Sequence, residues 1–377
     1  MGVYLDSWLL ELALALSALL LAAYLSFQWR YQYWSKKGVP CVEPSFPFGN
    51  LGHSLLGQKF FGDVLRELYE KAKGKRFIGL YSILRPVLLV RDPEIVRHIL
   101  IKGFASFRER GIFMDDEQPL NSYLFWLPAQ EWHHRRAKLT PAFSSGKLKG
   151  LFQDLAAECL GLFAVGFETS ASTISYSLYE LALLEDIQSN LQLEIDSVLQ
   201  RHDDNITYDG IDVLSRQSGV CRDRCHQPLT QCPLLGFWQR RSGSTPPLSL
   251  LNRDCVEPYK MPDSDVVVDR ATAILASLFG LHYDAEHFPD PERYGPERFS
   301  EEQKAKRNPY VYLPFGDGPH ICIVKRLGLL QTKVGLVNIL SMCSVRPAEK
   351  TTRHVTYNSR GVMLVPTKEI ELKFDKR

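Results

Sequence analysis

The residues best placed to do chemistry lie in Pro314–Gln331, PFGDGPHICIVKRLGLLQ. Gly316 and Gly318 let the backbone turn tightly and come close to a large flat ligand. Cys322 follows at the start of a predicted helix, where the macrodipole and free amide N–H groups favour the thiolate, the form that ligates a metal. Taken in isolation, a cysteine in this position is usually just a small buried residue. The spacing Phe-x-x-Gly-x-x-x-Cys gives the loop its interest.

The elements that must hold this loop can be read from period and punctuation. A helix runs from about Cys322 to Met342, and terminal strands follow it. Ala156 to Leu183 is long and apolar enough for a buried central helix. Its interior Gly166 is a costly choice unless something approaches the backbone there. Glu185–Gln200 forms another helix, and Trp132–Leu139 a further one, stopped at Thr140-Pro141. Phe61–Lys73 has helical period, and Arg76–Ile83 and Pro86–Arg91 read as strands. Asp92-Pro93 supplies an N-cap and an N1 proline that open a helix through about Ile101. Short strands and turns from Met261 lead to the proline-rich Phe288–Phe299. The expectation is a mainly α fold with small β-sheets.

Composition fits that picture. The 377 residues are 45% hydrophobic and 23% charged, normal for a globular chain. A net charge of +2 gives no electrostatic case for nucleic acid. The eight cysteines are scattered rather than set in a dense framework, so they read as reduced thiols in a cytosolic environment. Trp8–Phe27 is apolar except for Glu11, two serines and a tyrosine, and about 20 such residues span a bilayer as a helix. No Lys or Arg precedes the run, whereas Arg30, Lys36 and Lys37 follow it, which places the rest of the chain on the cytoplasmic side. The exit is aromatic (Phe27, Trp29, Tyr31, Tyr33, Trp34), like an interfacial belt. Residues 1–29 are therefore expected to be an anchor and 30–50 a proline-stiffened connector; 51–377 form the main domain.

The loop around Phe315, Gly318 and Cys322 resembles the haem-binding loop of the cytochrome P-450 superfamily. The resemblance implies haem b with Cys322 as the axial ligand to iron. A thiolate there pushes electron density onto the iron and favours O–O cleavage. Trp132-x-x-x-Arg136, alone an ordinary amphipathic motif, resembles the family's helix whose Trp and Arg hold a haem propionate, and a guanidinium fork suits a carboxylate in a dry site. Gly166-Phe167-Glu168-Thr169-Ser170 resembles the oxygen-activating stretch of the family's central helix. There Glu168 and Thr169 would relay protons, although Glu-Thr alone means nothing. Pro296-Glu297-Arg298-Phe299 looks like the family's PERF element, and Arg253 sits where the family often has another propionate-binding arginine. The match is close to continuous over residues 1–149 and again from Pro246 to the end. Its wording most resembles insect microsomal members acting on foreign compounds and hormones.

Three departures stand out. Leu151–Leu155 directly joins stretches between which the family carries a large helical segment. Val213–Thr245 stands in place of the Glu-x-x-Arg helix and contains five arginines, no lysine and neither helical nor strand period; residues 213–245 read as aberrant and outside the fold. A metal site from Cys221, Cys225, His226 and Cys232 is disfavoured by the spacing. Glu94-x-x-Arg97 fits the missing pattern but lies in the early Asp-Pro helix, a coincidence, which leaves Arg298 without its partner. Within the loop, His320 stands for the family's arginine, a weaker and pH-dependent propionate contact, and Val324 replaces a glycine.

The resemblance implies NADPH-driven insertion of one oxygen atom into a lipophilic small molecule by a monomer in the endoplasmic reticulum membrane. Electrons would come from a flavoprotein reductase docked where Arg135, Lys138, Lys147 and Lys149 form either a basic patch or a merely solvated face. Two alternatives remain open: an inactive remnant or mis-assembled product, and a non-enzymatic membrane-bound haem or ligand binder. Substrate contacts have only Ile112–Leu124 as a generic candidate.

Overall fold

The computed structural model describes residues 8–111, 124–125, 127–140, 156–202, 248–291, 301–352, 355–361 and 364–377. Most of the regular structure is helical. The Trp8–Arg30 helix has no buried residue and its leucines face outward; only its C-terminal end meets the rest of the described chain, with Tyr24 and Phe27 against Phe46. With its extension to Lys36 it is long and apolar enough to cross a membrane.

The aromatic run after the anchor does not behave as a uniform belt. Trp29 is exposed, but Tyr31 and Trp34 are buried against the first strand. Trp34 donates its indole N–H to the Leu80 carbonyl (2.9 Å), and Tyr81 donates its hydroxyl to the Tyr31 carbonyl (2.7 Å). A side chain at Gly79 would meet the Trp34 ring at 2.3 Å, so the close approach needs that glycine. The exit of the anchor is thus fastened to the main sheet.

That sheet contains β1 (Phe77–Ser82), β2 (Arg85–Val90), β6 (Ala273–Ser277) and β3 (Leu250–Asp254), in the order β1-β2-β6-β3. β2 and β6 are parallel and the other pairs antiparallel. Two small ribbons complete the strands: β4 (Tyr259–Lys260) with β5 (Val267–Val268), and β7 (Cys343–Pro347) with β8 (Leu372–Lys376). Arg91 and Asp284 form an almost fully buried ion pair at 2.6 Å, and the Tyr69 hydroxyl donates to the same carboxylate. This network ties the Phe61–Lys71 helix to the end of β2.

Helix bounds follow the expected periods closely: Phe61–Lys71, Ala129–Leu139, Ala156–Leu183 and Glu185–Arg201. The Asp92 side chain caps its helix by accepting from the Glu94 N–H. That helix then changes character. Pro93–Arg97 is α-helical, but His98–Lys102 is a π-helical turn closed by a Gly103 N–H to His98 carbonyl bond of 2.7 Å. Leu178, Leu181, Leu191, Ile195, Leu336 and Leu340 form one core, between the central helix, its successor and the Lys325–Met342 helix. A second core lies between the sheet and the residues from Trp34 to Phe107. Pro296–Phe299, Lys147, Lys149, Val213–Thr245 and nearly all of Ile112–Leu124 lie outside the described residues.

Candidate functional site

Cys322 sits on a loop whose shape depends on its glycines. Gly316 and Gly318 have φ of +65° and +70°. A side chain at Gly318 would meet the Leu100 carbonyl oxygen at 2.1 Å, so the loop turn is seated directly on the π-helical turn. Asp317 accepts from the Gly318 N–H, and the Cys322 N–H donates to the Phe315 carbonyl at 2.9 Å. Lys325 lies 5.6 Å above the Phe315 ring. The following helix begins at Lys325, three residues later than Cys322, because Gly318–His320 forms a 3-10 turn and Ile321 is extended.

That placement changes the electrostatic expectation. Burial pushes the Cys322 thiol up, while the Val324 N–H, Arg136, Arg110 and Lys325 act in the opposite direction. The helix terminus alone therefore does not produce a thiolate. Ligation to a metal does, since a coordinating thiol is deprotonated outright. Among the described residues no three His, Cys, Asp or Glu side chains cluster to hold a bare metal ion.

Beside the cysteine stands a group of cationic side chains. Arg136 donates to the Ile321 carbonyl at 2.8 Å, next to Cys322, and desolvation lowers its pKa. Arg253 is 4% exposed, and burial alone pushes its guanidinium down to about 10. It donates through Nη1 to the Asn252 carbonyl, but its Nε is buried with no hydrogen-bond partner. The Trp132 indole N–H is orphaned in the same way. Neither Arg136 nor Arg253 has a carboxylate partner among the described residues. Buried donors without acceptors are rare in folded proteins, and a cationic set of them fits an anionic group.

His320 departs from the expected propionate contact. It is 7% exposed, and both ring nitrogens are already engaged, with the Arg110 guanidinium at 3.2 Å and the Arg108 carbonyl at 3.0 Å. Burial, then Arg110, Arg253 and Arg136, push its pKa down to about 2, so it stays neutral. Sequence spacing did not suggest Arg110. Its only local signal is the Gly111 that follows, which has φ +65° and lies so close to Asp254 that a side chain would meet the carboxylate at 2.2 Å.

On the other side, the central helix packs on the Lys325–Met342 helix. A side chain at Gly335 would meet Ile174 at 2.8 Å, and Ser170 donates to Gln331 at 3.3 Å. Thr169 is half-buried and its carbonyl accepts from the Thr173 hydroxyl at 2.5 Å; the position of the Glu168 side chain lies outside what is described. Among the described residues, a side chain at Gly166 would meet nothing within 4 Å. Glu94 and Arg97 form an exposed pair at 3.1 Å, as expected for a coincidental Glu-x-x-Arg. Arg135 and Lys138 lie on the Ala129–Leu139 helix, with Arg135 at 3.8 Å from Glu131.

A family model described as Cytochrome P450 matches residues 151–215 and 244–374, more than half of the chain. Curated relatives extend the likeness to nearly all of it. Cytochrome P450 6k1 of Blattella germanica is 26% identical, covering 96% of this chain and 96% of its own length. Probable cytochrome P450 6d4 of Drosophila melanogaster is 25% identical, covering 97% and 99%, and Cytochrome P450 6B7 of Helicoverpa armigera is 25% identical, covering 95% and 97%. The first alignment runs over 521 positions against a chain of 377, so the relative carries segments with no counterpart here. The family match also skips residues 216–243. The family match and these relatives together show that the chain belongs to the cytochrome P450 family, whose members are haem-thiolate monooxygenases.

Proposed function

We propose that this chain is a membrane-anchored monooxygenase acting on a lipophilic small molecule, a foreign compound or a hormone. One oxygen atom of O2 enters the substrate and the other leaves as water, with two electrons supplied by NADPH through a flavoprotein reductase. The observation that carries this reading is the set of donors by the cysteine loop: the buried Trp132 N–H and Arg253 Nε without acceptors, and the half-buried Arg136 without a carboxylate, among the described residues. They fit the two propionates of a haem whose iron Cys322 would hold. When bound, that group supplies the reductive activation of dioxygen.

The chain's own residues do the rest. Trp132, Arg136 and Arg253 would orient the carboxylates. Phe315 and Gly318 would shape the loop that presents the Cys322 sulfur to the iron. Glu168 and Thr169, close to Gly166 in the chain, would deliver protons. The Trp8–Arg30 helix would lie in the endoplasmic reticulum membrane with Arg30, Lys36 and Lys37 on the cytoplasmic side. Arg135 and Lys138 would receive the reductase.

A second reading is favoured by the skipped residues 216–243 and by the shorter chain: a haem binder that no longer turns over. Oxygen uptake separates the two. The full chain, expressed in membranes with a reductase and offered lipophilic substrates, is expected to consume O2 in an NADPH-dependent way. Thr169→Ala should then divert NADPH oxidation away from product by about tenfold or more. Bound haem without any NADPH-dependent uptake would leave the second reading standing.

A further inference from the structure

We propose that His282 is a positioning residue for Cys322, holding the start of the cysteine loop through the Leu313 N–H. The proposal rests on the haem-binding reading above and adds a residue that acts on the cysteine only through the loop backbone.

The support begins in the main sheet. Strand β6 ends at Ser277, whose hydroxyl accepts from the Gly280 N–H at 2.9 Å and caps the fully buried helix Leu278–Tyr283. Asp284 follows that helix and pairs with Arg91, just past the end of β2. His282 therefore sits on a short element pinned at both ends to two adjacent strands. From there its Nε2 accepts from the Leu313 N–H at 3.3 Å, and that N–H has no other acceptor among the described residues. The imidazole also packs on the Tyr312 ring, with centroids 5.0 Å apart.

The loop passes this hold to the cysteine in two steps. The Leu313 carbonyl accepts from the Gly316 N–H at 3.0 Å and closes a turn. Within that turn, the Phe315 carbonyl accepts from the Cys322 N–H at 2.9 Å. The far side of the loop has a separate seat, Gly318 against the Leu100 carbonyl. The backbone of Cys322 is thus set from two sides, and His282 holds one of them.

Packing alone does not explain a histidine here. The ring is 3% exposed, and an apolar side chain would fill the space without burying two polar nitrogens. Because Nε2 accepts, it is bare and the hydrogen resides on Nδ1, which has no partner among the described residues. The bond to Leu313 must offset that unpaired donor. Burial also pushes the pKa down to about 3, which keeps the ring neutral and Nε2 able to accept.

The test compares His282→Gln, His282→Asn and His282→Leu in the full, membrane-expressed chain. A glutamine amide reaches about as far as Nε2 and an asparagine amide only about as far as Nδ1, so glutamine alone should still accept from Leu313. The first readout is the reduced carbon monoxide difference spectrum, taken as the ratio of the strongly red-shifted thiolate band to the less shifted band of haem without the thiolate. The Asn and Leu variants should lower that ratio roughly tenfold, the weight of one hydrogen bond, and the Gln variant should stay near wild type. The second readout needs no haem: alkylation of Cys322 by iodoacetamide, read by peptide mass, with the buried Cys255 as an internal check on folding. The Asn and Leu variants should speed Cys322 alkylation by a similar factor while Cys255 stays protected. If His282→Leu also exposes Cys255, the Gln and Asn variants decide, since both are polar and differ mainly in reach. Gln and Asn variants that behave alike in both readouts, or a folded Leu variant that matches wild type, would overturn the proposal. A wild type without any haem band defeats the haem-binding reading, while the alkylation comparison still judges His282. A wild-type thiolate band with unmoved variants defeats this proposal alone.

Discussion

The imidazole of His320 stacks on the indole of Trp132, with centroids 3.9 Å apart and planes tilted by 35°. This contact joins the cysteine loop to the Ala129–Leu139 helix, and the indole N–H has no acceptor among the described residues. Trp132→Phe would keep a ring in the stack and remove the orphaned donor. The haem-free chain should lose little stability, while the haem-loaded chain should lose about 1.5–3 kcal/mol, the value of one hydrogen bond to a charged acceptor. Denaturation midpoints with and without hemin would show this difference.

Arg253 makes a sharper case of opposite effects. Its guanidinium is buried with an unpaired Nε and without a carboxylate among the described residues. Replacing an unpaired buried charge with an apolar side chain of similar length removes a desolvation cost. Arg253→Met should therefore stabilise the haem-free chain by roughly 1–4 kcal/mol and weaken hemin retention about tenfold or more. Urea titration of the haem-free chain and transfer to apomyoglobin measure the two effects separately.

The two loop glycines should respond unequally. Gly318→Ala places a methyl 2.1 Å from the Leu100 carbonyl oxygen at φ +70°, whereas Gly316→Ala meets only Leu251 at 3.7 Å at φ +65°. The first should cost on the order of 3 kcal/mol or more, and the second about 1–2 kcal/mol for the left-handed conformation alone. Thermal unfolding of the two variants would establish the order.

Acid sensitivity should trace to His282. Its Nε2 accepts from the Leu313 N–H at 3.3 Å, at the start of the cysteine loop, and its Nδ1 is buried without a partner. Burial pushes its pKa from 6.5 down to about 3. A histidine depressed in the folded state binds fewer protons there than in the unfolded chain. Its stabilising contribution is thus present above pH 6.5 and is lost as pH falls from 6.5 toward 3. The slope is about 1.4 kcal/mol per pH unit, and the whole effect roughly 3–5 kcal/mol. His282→Gln, whose amide can still accept from Leu313, should flatten the stability profile between pH 6.5 and 4.5.

Much of this arrangement can be read in the sequence, and the rest cannot for identifiable reasons. The central helix carries its bounds in its apolar run, and the Cys322 loop carries its shape in Gly316 and Gly318, because these depend on neighbours in the chain. Arg110 depends on the pairing of Glu109 with Asp254, which brings together residues far apart in sequence, and no local period encodes it. His320 shows the same limit. Its residue type suggests a titrating contact, but the rings packed on it and the carbonyl of Arg108 make it a neutral prop. The π-helical turn at His98–Lys102 was likewise hidden, since its Leu100 carbonyl lies against Gly318, far away in the sequence. The aromatic residues after the anchor divide between surface and core because Gly79 leaves room for Trp34, a contact that hydropathy does not register.

The central claim is that Cys322 holds haem iron despite the segments this chain lacks. The carbon monoxide difference spectrum of the reduced, membrane-expressed full chain tests it most directly. The expected result is the strongly red-shifted band of thiolate-ligated haem, lost in Cys322→Ser. Expressed protein with no haem signal, or a band that survives Cys322→Ser, would contradict it.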